Sequence, residues 1–166
     1  VNWNNGELVL DSKNTNYSYG SLQRILRIGL KKIGFENIRA MESILVLGVG
    51  GGSVFKTLVN EINFKKELIG VEIDAEMIQI ANTYFDLNKI PNLTIFIDDA
   101  FEFVLKSKKT YDLIIIDIFE DTKMPNFVYE KFFMNRIGDL LNNKGFILFN
   151  TMLLDEKQNQ RNVAYI

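Results

Sequence analysis

The sequence predicts an α/β fold with a Rossmann-like, doubly wound, mostly parallel sheet, and three observations support it. Short apolar runs alternate five times with helical patterns along the chain. These runs are continuous in their apolar character, which is typical of strands that are buried on both faces. Four glycines occupy five positions in Gly48–Gly52, directly after the first run of the core. Together the three features indicate a parallel sheet that is covered by helices and joined by right-handed crossovers.

The N-terminal extension, residues 1–43, is expected to hold one strand and one helix. Residues 1–20 are rich in Asn, Ser, Gly and Tyr, and a strand is predicted at Glu7–Leu10. From Ser21, apolar residues at helical spacing predict a helix that is capped by Ser21 and ended by Gly34. The nucleoside-binding α/β core is expected to follow over residues 44–166.

Strands and helices of the core follow from the same patterns. Strands are predicted at Ile44–Leu47, Leu68–Glu72, Leu93–Ile97, Leu113–Ile116 and Phe146–Phe149, the last after a turn at Lys144-Gly145. Helices are predicted at Val54–Ile62, Ala75–Phe85, from Ala100 to about Leu105, at Val128–Leu141, and from near Asp155 onward.

The composition is that of an ordinary globular protein, and it excludes several kinds of chemistry. The 166 residues are 47% apolar and 24% charged, with a net charge of −2, so there is no basic excess typical of nucleic-acid binding. No apolar run approaches the length of a transmembrane helix. The chain has no cysteine and no histidine, which excludes disulfides, histidine-based acid–base catalysis, and metal sites with thiolate or histidine ligands. We expect no metal, nucleic-acid or membrane partner, and a cytoplasmic location.

The glycine-rich turn predicts a nucleotide or nucleoside site. Glycines let the backbone turn tightly and approach a ligand without a Cβ in the way. The helix that follows aims its free N–H groups at the same place. Gly48-Val49-Gly50-Gly51-Gly52 matches the pattern G-x-G-x-G, whereas the dinucleotide pattern G-x-G-x-x-G/A is met only if Ser53 is accepted as its last residue.

Acidic residues end three successive strands of the predicted sheet: Glu72, Asp98-Asp99 and Asp117. In a parallel sheet these ends share one edge, where ligands bind. Glu72 lies 24 residues after Gly48, the spacing of an acid that binds a ribose diol. Two roles remain open for Asp99, a hydrogen bond to an adenine amine and an N-cap of the next helix. Asp117 follows four buried apolar residues, so its carboxylate is costly unless it faces a cleft.

Three segments resemble the spermidine synthase family, which belongs to the class-I S-adenosylmethionine-dependent methyltransferase fold: Val71–Asp74, Ile97–Phe103 and Tyr111–Asp117. The resemblance implies that S-adenosylmethionine or its decarboxylated form is the cofactor. It implies that the glycine loop holds the tail of the cofactor, Glu72 its ribose and Asp99 its adenine, with Asp117 facing the reacting centre. The cofactor-binding residues expected from it are Gly48, Val49, Gly50, Gly51, Gly52, Glu72, Ile73, Asp99 and Ala100.

The sequence departs from the family pattern in the half of the site that would hold a diamine. The family loop carries an aspartate where Gly51 stands. Its Asp-Ser-Ser/Thr-Asp-Pro stretch is replaced by Asp117-Ile118-Phe119-Glu120-Asp121, in which Glu120 is expected to act beside Asp117 as the second catalytic acid. Tyr17 and Tyr19, in Tyr17-Ser18-Tyr19-Gly20, resemble the tyrosine-containing segment of the polyamine site and are expected to bind substrate, although Gly20 replaces the usual glutamine.

Several functions therefore stay open. Gly51 favours methyl transfer from S-adenosylmethionine to an unknown small acceptor, with an amine as one option. The alternatives are an aminopropyltransferase that uses decarboxylated S-adenosylmethionine, a non-catalytic binding domain, and, most distantly, a nicotinamide dehydrogenase. A homodimer is compatible with each of them. Because the chain opens on valine and stops within a predicted element, we expect a longer protein, with the C-terminal hairpin of the methyltransferase-type sheet absent from these residues.

Overall fold

A computed structural model describes residues 2–4, 7–11, 16–18, 21–119 and 124–151, with side chains from residue 24 onward. The first three strands form a small antiparallel sheet in the order β1-β2-β3. Their bounds are Asn2–Asn4 for β1, Glu7–Asp11 for β2 and Asn16–Ser18 for β3. The strand predicted at Glu7–Leu10 is β2, and it has an antiparallel neighbour on each side.

The second sheet has five parallel strands in the order β6-β5-β4-β7-β8, which confirms the predicted fold class. Its strands are β4 (Ser43–Leu47), β5 (Glu67–Glu72), β6 (Leu93–Ile97), β7 (Tyr111–Ile116) and β8 (Leu141–Phe149). Strand β4 lies in the centre, between β5 and β7. The chain passes from β4 to β5 and β6 on one side, and then crosses to β7 and β8 on the other side. The strand order therefore reverses at the carboxyl end of β4, where open α/β sheets bind their ligands.

Helices cover both faces of this sheet. Their bounds are Ser21–Ile33 (α1), Phe35–Ala40 (α2), Ser53–Lys56 (α3), Ala75–Phe85 (α4), Ala100–Lys106 (α5) and Lys131–Asp139 (α6). All five residues of β4 are buried, and alternate ones enter opposite cores. Ile44 packs with α1 and α3 on one face, whereas Leu45 packs with α6 on the other. A strand that is buried on both faces needs this continuous apolar sequence.

Several predicted boundaries were wrong. The helix expected at Val54–Ile62 starts at Ser53 and continues after α3 as a π-helical turn, Thr57–Glu61. The helix expected at Val128–Leu141 is split into a 3₁₀ turn, Asn126–Tyr129, and α6. Helix α2 was not predicted, because Gly34 ends one helix with φ of 99° and another starts directly after it.

The last described strand is longer than expected. Strand β8 begins at Leu141, and the predicted Lys144-Gly145 turn lies inside it as an irregularity. The pairing passes from Tyr111–Leu141 to Leu113–Phe146, and Lys144 has φ of 65°. Within the described ranges no antiparallel strand joins this sheet. The polar helix predicted from near Asp155 lies outside the described residues.

Helix α1 packs against the core of the second sheet. Leu26 and Leu30 of α1 share a buried cluster with Ile44 of β4, and the domain boundary expected between residues 43 and 44 stays a prediction. Among the described helices, none combines the length and the apolar character that a membrane span requires.

Candidate functional site

The glycine loop after β4 depends on glycine at three of its four glycine positions. Gly48, Gly50 and Gly52 have φ of 89°, 50° and 77°, in the left-handed region that side chains disfavour. A Cβ on Gly48 would lie 2.1 Å from the carbonyl oxygen of Asp117. Gly51 has no positive φ, so its backbone conformation accepts a side chain. The backbone conformation therefore allows other residue types at position 51, where a side chain could affect ligand preference, but not at position 48.

Glu72 ends β5 and lies against this loop. Its Oε2 accepts hydrogen bonds from the backbone N–H groups of Val49 and Gly50, both at 3.0 Å. Its Oε1 accepts one from the N–H of Asp74 at 3.1 Å. The structure thus brings the predicted ribose acid and the predicted loop together, and the carboxylate also holds the loop in place.

One N–H group among residues Gly48–Gly52 has no acceptor in the part of the chain that the structure describes. The N–H of Gly52 donates to the carbonyl of Val49 at 2.9 Å, and Val49 and Gly50 donate to Glu72. For the N–H of Gly51, no acceptor is found in the described part of the chain. The predicted cofactor-binding residues Gly48–Gly52 therefore form one cradle, in which Gly51 is the free donor.

The acids after β6 have structural partners. Asp99 caps α5, because its Oδ1 accepts hydrogen bonds from the N–H groups of Phe101 at 2.7 Å and Glu102 at 3.3 Å. The N-cap role that sequence left open is thus present, and the adenine role stays a prediction. Asp98 is not simply solvated: its Oδ1 accepts the N–H of Asp99, and its own N–H donates to the carbonyl of Glu72.

Two neighbours complete the adenine side of the predicted site. Ile73, directly after Glu72, is 67% exposed, which is unusual for a large apolar side chain beside the end of a buried strand. Ala100 is the first residue of α5. Because β5 and β6 are adjacent and parallel, both residues lie at the carboxyl edge of the sheet.

Asp117 follows β7 and lies on the other side of β4 from Glu72. Its N–H donates to the carbonyl of Leu47 at 2.8 Å, and its Oδ1 accepts the side-chain amide of Asn150 at 2.8 Å. The pKa of the carboxyl is raised to about 6: burial is the largest cause, the hydrogen bond from Asn150 lowers the pKa, and the negative charge of Glu72 makes a smaller contribution that raises it. A carboxyl with this pKa is mostly ionised at pH 7 and is suited to accept a proton.

Asn150 is a site residue that sequence reasoning missed. It follows the apolar end of β8, and its side chain is 3% exposed. Because β8 pairs in parallel with β7, the residue that directly follows β8 reaches the same edge of the sheet as Asp117. A polar residue directly after the fifth apolar run is the signal that could have identified it.

The structure does not test every predicted site residue. Glu120 and Tyr19 lie outside the described residues, and of Tyr17 only the backbone, in β3, is described. Their catalytic and substrate-binding roles remain predictions. Among the residues that are described, no cluster of three or more Asp or Glu side chains could hold a metal ion.

Comparisons with known proteins identify what the chain is similar to. The family model for the "Spermine/spermidine synthase domain" matches residues 28–162. A polyamine aminopropyltransferase of Vibrio vulnificus is 30% identical over 128 residues, covering 75% of this chain and 42% of the relative. The human eEF1A lysine and N-terminal methyltransferase is 26% identical over 128 residues, covering 68% of this chain and 18% of that protein. The chain therefore spans less than half the length of these relatives.

Solved structures show the same fold. Human methyltransferase-like protein 13 in complex with SAH superimposes with a TM-score of 0.71 and 19% identity, covering 86% of this chain and 69% of that one. A spermidine synthase in complex with the transition-state analogue AdoDATO has a TM-score of 0.64 and 19% identity, covering 84% and 49%. Aminopropyltransferases and methyltransferases are thus both similar to this chain.

Proposed function

The chain belongs to the spermine/spermidine synthase domain family, and from this we propose that it binds an S-adenosyl sulfonium nucleoside and transfers a group from it to a small acceptor. Family membership indicates a transferase. Two structural neighbours are complexes with SAH and with the transition-state analogue AdoDATO. The donor, the acceptor and the transferred group are our proposals.

One observation carries the proposal: two acids flank a glycine cradle, and their environments differ. Glu72 is held by backbone N–H groups on one side of β4. Asp117 is partly buried on the other side, and burial raises its pKa. The first suits a stationary binding group, and the second suits a proton acceptor. A nucleoside bound across the end of β4 would place its ribose near Glu72 and its sulfonium near Asp117.

The chemistry requires little more than alignment. A sulfonium donor supplies a carbon whose bond to sulfur breaks as the acceptor attacks it, with the electron pair going to sulfur. Holding the two reactants in line contributes up to roughly 7–11 kcal/mol. Asp117 accepts the proton that a protonated amine acceptor must lose, as a base within the cleft. Glu120 is proposed as a second acid near it, and Tyr17 and Tyr19 as acceptor-binding residues.

The comparisons favour aminopropyl transfer to a polyamine from decarboxylated S-adenosylmethionine. The family model and the Vibrio relative both carry names of this activity, as do relatives from Saccharolobus solfataricus and Bacillus subtilis at 29% and 27% identity. Aminopropyl transfer is therefore the candidate that the relatives support best.

Gly51 favours S-adenosylmethionine and methyl transfer as the second candidate. An aminopropyl donor carries an ammonium group and no carboxylate, so its tail calls for an acid, and the loop offers none at Gly51. The tail of S-adenosylmethionine also carries a carboxylate, which suits a bare backbone N–H group such as that of Gly51. If methyl transfer is the function, S-adenosylmethionine should bind about tenfold more tightly than its decarboxylated form, a difference of about 1.4 kcal/mol.

A calorimetric panel of four ligands tests both the site and the donor: S-adenosylmethionine, its decarboxylated form, S-adenosylhomocysteine and NAD. Binding of the S-adenosyl nucleosides but not of NAD supports the proposal, and the absence of binding for every S-adenosyl nucleoside overturns it. Gly51→Asp is the matched variant, because the backbone of Gly51 accepts a side chain. It should narrow or reverse the preference for S-adenosylmethionine. If the unmodified protein prefers the decarboxylated donor, aminopropyl transfer is the function.

Product formation separates an enzyme from a binding domain that has lost its reaction. The assay follows methylthioadenosine or S-adenosylhomocysteine release with putrescine and other small amines as acceptors. Nucleoside binding without turnover for any acceptor would favour a non-catalytic domain. Turnover that is lost in Asp117→Asn, with nucleoside affinity kept, would support the assigned role of Asp117.

A further inference from the structure

Asn150 is more constrained than a residue after an edge strand needs to be. Its backbone N–H donates to the carbonyl of Ile116 at 2.9 Å, so its position is set by the end of β7. Its side-chain Nδ2 donates to Oδ1 of Asp117 at 2.8 Å. The other amide atom, Oδ1, is buried and finds no hydrogen-bond donor among the described residues.

The buried Oδ1 of Asn150, which lacks a hydrogen-bond donor among the described residues, carries an energetic cost. A buried acceptor without a donor destabilises the folded state, and native structures hold few of them. An apolar residue of similar size would avoid this cost but would leave the Asp117 carboxylate without its hydrogen bond. The contact that offsets the cost is therefore the one with Asp117.

We propose that Asn150 is a positioning residue for Asp117, whose amide fixes one carboxylate oxygen and leaves the other available to the acceptor. Within the described residues, Asn150 is the partner found for the Asp117 side chain. The backbone of Asp117 is held by Leu47, and its carbonyl fills the space beside Gly48. With the backbone held, Asn150 sets the orientation of the carboxylate. This inference rests on the proposed function, since it gives Asp117 the role of proton acceptor.

The same hydrogen bond affects ionisation. Desolvation and the charge of Glu72 raise the pKa of Asp117, and Asn150 lowers it. Glu72 is the described charged group that acts on this carboxyl. Without the amide donor, Asp117 would hold its proton at a higher pH and would be a poorer base at neutral pH.

A second pair of the same kind lies at the opposite edge of the sheet and supplies a matched control. Asn142 of β8 donates its Nδ2 to Oδ1 of Asp112 of β7, also at 2.8 Å. Asp112 accepts two further hydrogen bonds from the backbone N–H groups of Glu42 and Ser43. The pair of Asp112 and Asn142 therefore links β7 and β8 to the start of β4, at the edge of the sheet that is remote from the glycine loop.

The test follows the Asp117 carboxyl by ¹³C NMR during a pH titration, with the signal assigned through its absence in Asp117→Asn. In Asn150→Leu we expect the midpoint to rise by about one to two pH units, the worth of a hydrogen bond to a charged group. In Asn142→Leu the midpoint should stay within about 0.3 unit, a shift too small to reflect a lost charged hydrogen bond. A role confined to packing would lower the melting temperature of Asn150→Leu without moving the midpoint, and that result overturns the inference.

A second variant keeps the test decisive if Asn150→Leu does not fold. Asn150→Asp preserves the shape and places two carboxyls together, so the pair should retain one proton to above the wild-type midpoint. Titration of Asp117 as in the wild type would again refute the inference. Binding of S-adenosylhomocysteine to the wild type separates the two proposals. If the wild type does not bind it, the proposed function is wrong, whereas an unchanged pKa midpoint of Asp117 in the Asn150 variants refutes only the role of Asn150.

Discussion

Replacing Glu72 tests whether the acid that holds the glycine loop also recognises the ribose. We expect Glu72→Ala to weaken S-adenosylhomocysteine binding. The carboxylate accepts three backbone hydrogen bonds, two at Oε2 and one at Oε1. Two oxygens offer about four acceptor sites, so capacity remains for a ribose hydroxyl. Loss of a hydrogen bond to a charged acceptor costs about 1.5–3 kcal/mol, or roughly 10- to 150-fold in Kd.

The variant Glu72→Gln divides this effect into its two parts. Glutamine keeps one carbonyl oxygen for the N–H groups of Val49 and Gly50, so the loop can retain its conformation. It removes the charge and exchanges the other acceptor for a donor. If Glu72 binds ribose, affinity should fall in both variants. If Glu72 only holds the loop, Glu72→Gln should bind nearly as the wild type does, while Glu72→Ala binds weakly.

Isothermal titration calorimetry at constant pH measures these affinities, and Glu67→Ala is the control. Glu67 lies at the opposite end of the same strand and pairs with Lys109, so its loss should leave Kd within about twofold of the wild type. Circular dichroism establishes that each variant is folded. Unchanged affinity in folded Glu72→Ala would remove Glu72 from the binding site.

Two further predictions concern stability. The pKa of Asp117 is raised to about 6 in the folded state, so its ionisation opposes folding: this contribution is absent below about pH 4 and costs about 3 kcal/mol above pH 6. The difference in unfolding free energy between Asp117→Asn and the wild type should grow by that amount between pH 4 and 7, and a flat difference would contradict the burial. Gly48→Ala should destabilise by more than about 2 kcal/mol, because of its φ of 89° and its contact with Asp117. Gly138→Ala is the control, because Gly138 lies in helix α6 with open space around it; this variant should be neutral or stabilising by up to about 1 kcal/mol. Urea denaturation measures both variants, and an equal change in unfolding free energy would contradict the requirement for glycine at position 48.

Sequence predicted the central strands well, because burial on both faces leaves a readable pattern. Strands β4 to β7 start within two residues of their predicted positions and end where expected. Strand β8 begins five residues early, at Leu141, because the start of an edge strand is partly exposed and carries no apolar run. The π-helical turn Thr57–Glu61 has the same local spacing of apolar residues as an α-helix, so the sequence could not distinguish the two.

Sequence could predict the candidate site only for those residues that lie directly at the carboxyl ends of strands. Parallel topology places Glu72, Asp99 and Asp117 at one edge, and that follows from sequence alone. How each carboxylate is occupied does not follow, because the hydrogen bonds of Glu72 and the cap of Asp99 depend on loop geometry. Asn150 was missed because its importance depends on which strand pairs with β7, and sequence order does not reveal that β8 lies beside it.

The contrast among these acids supports our proposal that Asp117 is the proton acceptor. Glu72 and Asp99 each accept hydrogen bonds from two neighbouring backbone N–H groups through one carboxylate oxygen, an arrangement that suits a carboxylate that holds a loop or caps a helix. Asp117 is denied such donors: burial disfavours its charge, a neighbouring acid adds to the effect, and a single amide opposes them. A fold that only needed to close the end of β7 would place an apolar residue there. A partly buried carboxylate lies beside a loop in which, among the described residues, the N–H of Gly51 has no acceptor, and this supports our proposal that a proton moves there next to a bound nucleoside.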